Sequence, residues 1–84
     1  MSSIDTTTPA QTIDVRLIAP AERHQTIFGT LEGLAVGAYV DITSDHEPAP
    51  LHSHLKQAYP GEFSFEYLER GPVVWRFRIA RVAE

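Results

Sequence analysis

The chain of 84 residues contains no cysteine. Disulfides, thiolate catalysis, iron–sulfur ligation and cysteine-based zinc sites are therefore excluded together. It also lacks any apolar run near the roughly 20 residues needed to cross a bilayer, so no membrane-spanning helix is expected. Positive charge is scarce: seven Lys and Arg against eleven Asp and Glu give a net charge of -4. That balance opposes retention on phosphate backbones by bulk electrostatics, and no nucleic-acid partner is expected. No G-x-S-x-G elbow, P-loop, dinucleotide fingerprint or H-E-x-x-H helix occurs. What remains is 43% hydrophobic and 21% charged, the balance of a soluble globular protein. A chain this short hides about 60% of its surface on folding, enough for one small core and not for two.

Met1 to Gln11 hold five hydroxyl residues, a proline and a single branched aliphatic, Ile4, and are read as a mobile tail. No basic stretch followed by an apolar run marks a signal peptide, so a cytoplasmic location is expected. From Ile13 to Leu17 apolar and charged residues alternate with period two, which predicts a first strand. Pro20 then sits where a helix can begin without losing a hydrogen bond. His24, Ile27, Phe28, Leu31 and Leu34 recur at spacings of three and four, one face of a first helix. Ala38, Val40 and Ile42 alternate again as a second strand. After the polar loop Ser44 to Pro48, Pro50 opens a second helix with Leu51, Leu55, Ala58 and Tyr59 inward. Phe63, Phe65 and Tyr67, and then Val73, Trp75, Phe77 and Ile79 beyond Gly71-Pro72, predict a final hairpin.

The order β-α-β-α-β-β implies an α+β two-layer sandwich: a mixed four-stranded sheet with two helices on one face. The aromatics of the hairpin, Trp75 included, are expected in the core and not as a base-stacking platform. Asp14, Arg16, Tyr39, Asp41, Thr43, Glu66, Arg76 and Arg78 are expected on the opposite face, paired across strands.

Four segments carry a resemblance: Glu22-Arg23-His24, Asp45-His46-Glu47-Pro48-Ala49-Pro50-Leu51, Pro60-Gly61-Glu62-Phe63 and Gly71-Pro72-Val73-Val74-Trp75-Arg76. In order and spacing they resemble the bacterial domain-of-unknown-function family 2249, from about Ile13 to Arg81, with D-H-x-P-x-P-L the most specific stretch. The resemblance implies a fold similar to the TusA and SirA sulfur carriers, as a single domain over residues 12–84. It also implies a bacterial redox or nitrogen-oxide setting, with a hemerythrin-like or cupin-like protein as partner. The carriers open their first helix with Cys-Pro, whereas this chain has Ala19-Pro20, so persulfide transfer by that route is chemically closed.

If the first two strands are parallel, their carboxyl ends share one rim, and Glu22, Arg23, His24, Asp45 and His46 gather there as ligand-binding candidates. Such a set can bind an anion through Arg23, hold a transition metal through His24 and His46, or move a proton. Plainer readings stand beside these: Asp45 as a loop acceptor, His24 as a packed helix residue. His52 and His54 are two apart on a helix, about 200° around its axis, and cannot share one ion there. The resemblance gives that pair no role. The expected function is a small accessory binding domain acting through Glu22–His24 and Asp45–Leu51, without catalysis of its own. The alternative is metal or anion binding by His24 and His46 with acid–base use of that pair.

Overall fold

A computed structural model describes residues 11–83; most of the segment read as a tail lies outside the described residues. The first strand, β1, covers Gln11–Asp14 and is shorter than the alternation suggested. Gln11, grouped with the tail from sequence, starts it by pairing with Val40. Asp14 ends it: its carboxylate accepts the backbone N–H of Arg16 at 3.0 Å and two guanidinium contacts at 2.9 and 2.7 Å. This local capture curls Val15–Leu17 into one 3-10 turn. The turn tucks Val15 into the core and swings Leu17, predicted inward, to 84% exposure.

Helix α1 runs Pro20–Glu32, with the proline in its first turn and Glu22 at the positive end of its dipole. Ile27 and Leu31 are buried, as is Leu34 just beyond it, whereas His24 on the same stripe is exposed. Strand β2 is Tyr39–Ser44, helix α2 Ala49–Ala58, strand β3 Phe63–Arg70 and strand β4 Trp75–Arg81. On α2 Leu55 is buried, Leu51 and Tyr59 are half-buried, and Ala58, expected inward, faces solvent.

The sheet order is β1-β2-β4-β3. β1 pairs parallel with β2, and β4 runs antiparallel between β2 and β3. The carboxyl ends of β1, β2 and β3 therefore share one edge. Ile27, Leu31 and Leu34 from the α1 side and Leu55 from α2 join Val40, Ile42, Phe77 and Ile79 in a single cluster, so both helices cover the same face. The opposite face carries Asp41 against Arg78 at 2.7 Å, with the Arg78 guanidinium 4.1 Å from the Tyr39 ring centroid.

The hairpin departs from period two at both ends of its turn. A bulge between Tyr67 and Glu69 shifts the register of β3, and Val73 falls in the turn at 76% exposure. Trp75 opens β4, is only half-buried and does not join the core cluster. Its indole lies on Gly71, where a side-chain carbon would come within 2.6 Å of it. The buried aromatic of the core is Phe77, 1% exposed.

The total stability of so short a domain is about 4–13 kcal/mol. Phe77→Ala is expected to cost about 3–5 kcal/mol, enough to unfold much of the population. Trp75→Ala is expected to cost less and to leave a cooperative transition. Urea titrations of the two variants check the order, and a larger loss at Trp75 contradicts this account of the core.

Candidate functional site

At the shared carboxyl edge a cavity of about 170 Å³ opens between α1, the end of β2 and the start of α2. Its floor is the outer end of the core: Val15, Ile27, Ile42 and Phe77. Arg23, His24, Ser44, His46 and Glu47 supply the polar wall, and Pro48, Pro50 and Leu51 close the α2 side. Inward-facing residues of β2 alternate as Val40, Ile42 and Ser44. The periodicity that builds the core thus delivers a hydroxyl to the cavity one step after the last aliphatic.

Ser44, 3% exposed, ties the loop. Its hydroxyl donates to the His46 carbonyl at 3.1 Å and accepts the His46 backbone N–H at 3.3 Å. The His46 ring then meets its own neighbour, Nδ1 standing 2.8 Å from the Asp45 carboxylate. A proton on Nδ1 satisfies that contact and leaves Nε2 as the ring nitrogen open to a ligand. The hydrogen bond from His46 holds the Asp45 carboxyl below its ordinary range, against a smaller opposing effect of desolvation, with the Arg23 charge adding a minor contribution. Both side chains are more than half exposed, so the pair orients the imidazole more than it stabilises the fold.

Arg23 is anchored from the other side. Its Nε donates to the Ile18 carbonyl at 2.9 Å, which fixes the half-buried side chain. Its terminal nitrogens have no hydrogen bond to the described residues. The wall can accordingly meet a negative charge with a guanidinium and two imidazoles, and an apolar body with the core end.

Of the five candidates read from sequence, Arg23, His24 and His46 line this cavity. Asp45 stands behind His46, and Glu22 is exposed off the wall. Among the described residues no group of three or more His, Asp or Glu side chains is gathered to hold a metal. His52 and His54 part company: His52 stacks on Phe65 at 4.2 Å between centroids, and His54 lies against Phe28 at 4.8 Å. Sequence reasoning passed over Ser44 as loop. Its position two residues beyond Ile42 was the available signal.

One family model, described as an uncharacterized conserved protein (DUF2249), matches residues 12–81. The chain belongs to the DUF2249 family. No curated protein and no solved structure matches it. Within this DUF2249 chain, the Glu22-Arg23-His24 and Asp45–Leu51 segments, 21 residues apart in sequence, both contribute to one cavity wall. The Ser44-Asp45-His46 turn places the second segment there by its own hydrogen bonds.

A depressed carboxyl contributes stability above the unfolded carboxylate value, about pH 3.9, and loses it as pH falls through the lower folded value. The Asp45 side-chain carbon, followed by NMR, should therefore titrate below that ordinary value. In His46→Ala its midpoint should return towards it. A midpoint at or above the ordinary value in the wild type contradicts the His46 contact.

Proposed function

We propose that this DUF2249 protein is a small accessory binding domain, without catalysis of its own, that holds a ligand with an acidic head and a compact apolar body in the rim cavity. One observation carries the reading: the cavity floor is core, Ile42 and Phe77, while its mouth bears Arg23, His24 and His46 beside a single carboxylate, Glu47. Burial of apolar ligand surface on that floor supplies affinity, and the Arg23 guanidinium, with hydrogen bonds from the two imidazoles, selects the head. The first turn of α2 adds backbone N–H groups on the same side, a favourable end of a helix for negative charge. The location we propose is the bacterial cytoplasm, and the setting is redox or nitrogen-oxide metabolism beside a hemerythrin-like or cupin-like protein. This setting is what the resemblance of the four segments to the family implies.

A second reading has its own support. His46 is oriented by a carboxylate in the manner of a metal-ligating histidine, which favours a transition metal or an anion held between His24 and His46, with acid–base use of the pair.

Butyrate, benzoate and inorganic phosphate, titrated into isotopically labelled protein, separate these. The first reading expects saturable amide shifts at residues 44–51 and 23–24 with the organic acids, weakened about tenfold by Arg23→Gln, a loss of one charged hydrogen bond. No saturable shift at those residues with any of the three overturns it. Phosphate alone producing the shifts favours the anion form of the second reading.

A further inference from the structure

We propose that His24 and His54 form a second site, adjoining the rim cavity at His24: a two-imidazole seat for a late first-row divalent cation on the seam between α1 and α2. The two residues are 30 positions apart in sequence, and no spacing pattern joins them. The fold brings their ring centroids to 5.5 Å, with the planes inclined at 62°.

That separation suits a shared ion. A ring nitrogen about 2.0–2.1 Å from a cation puts the ring centroid roughly 3.2 Å from it, and two such rings at tetrahedral to trigonal angles stand about 5.2–5.5 Å apart. Parallel stacked rings turn faces to each other, whereas inclined rings can converge their nitrogen-bearing edges. Phe28 braces both: His24 stacks on it at 4.9 Å and 10°, and His54 meets it at 4.8 Å. The brace restricts ring rotation, so less freedom is lost when an ion binds.

Both imidazoles are exposed and can be reached by a hydrated ion. With no third His, Asp or Glu gathered among the described residues, water fills the remaining positions and the ion exchanges readily. Neutral nitrogen donors without carboxylates select Cu(II), Ni(II) or Zn(II) over Mg(II), Ca(II) or Mn(II). The site shares His24 with the rim cavity and differs from it in using His54, which the cavity does not, and in leaving His46 aside.

The test is calorimetric titration of the untagged full chain with zinc chloride and copper chloride, joined to copper-induced broadening of histidine ring resonances. The expected result is one ion per chain, His24 and His54 broadened ahead of His52, and affinity lowered at least about tenfold by His24→Ala or by His54→Ala. His54→Gln, which keeps the side chain polar, should lose the same affinity, and His52→Ala should lose none. Circular dichroism of each variant separates lost ligation from lost fold. The proposal is overturned if no stoichiometric binding occurs. It is equally overturned if His46→Ala abolishes binding while His54→Ala binds like the wild type, an outcome that moves the ion into the rim cavity.

Discussion

The inner face of β2 is the constraint on which the rest depends. Val40 and Ile42 are fully buried, and they are held between a parallel neighbour, β1, and an antiparallel one, β4. Pairing in register sets Ile42 against Ile13 on one side and Phe77 on the other, so the core forms a continuous layer across three strands. Both helices must then cover that layer, and their connections leave from the same edge of the sheet. The cavity is the place where this layer runs out before the covering helices begin. Its floor and the core are the same side chains, so pocket shape and fold stability are coupled through Ile42 and Phe77.

Period-two and period-3.6 patterns made the six main elements legible, because long stretches with one buried face announce themselves through burial alone. The departures were local. Leu17 was drawn inward by alternation, yet the Asp14 carboxylate bonds the Arg16 backbone and side chain and turns the chain out of the strand. Val73 and Trp75 continue the pattern of Phe77 and Ile79 in sequence, but they sit at the Gly71-Pro72 turn beside the bulge after Tyr67 and stay outside the core cluster. A hydrophobic pattern records which side of a strand a residue occupies, not whether anything lies above it.

The rim segments were legible as segments, and less so as individual side chains. Arg23, His24 and His46 line the cavity, Glu22 does not, and Ser44 completes the wall. Which member of a short polar run faces inward is decided by hydrogen bonds such as those of Ser44 to His46, and these have no signature in composition. His24 stands where two surfaces meet, on the cavity wall and in the ring cluster with Phe28 and His54. Occupation of either surface is felt by the same imidazole, which links the two proposed binding events.

The central claim is spatial: parallel β1 and β2 bring the first turns of α1 and the loop before α2 to one rim. The absence of cysteine lets a single nitroxide be attached at Glu47→Cys, on the cavity mouth. The strongest paramagnetic broadening is then predicted at Arg23, His24, Ile27 and Val15, across the cavity, with Gly37 and Gly61 at the far edge of the sheet least affected. Strong broadening at Gly37 and Gly61 with sharp signals at Arg23 and His24 would place the two segments at opposite ends and contradict the account.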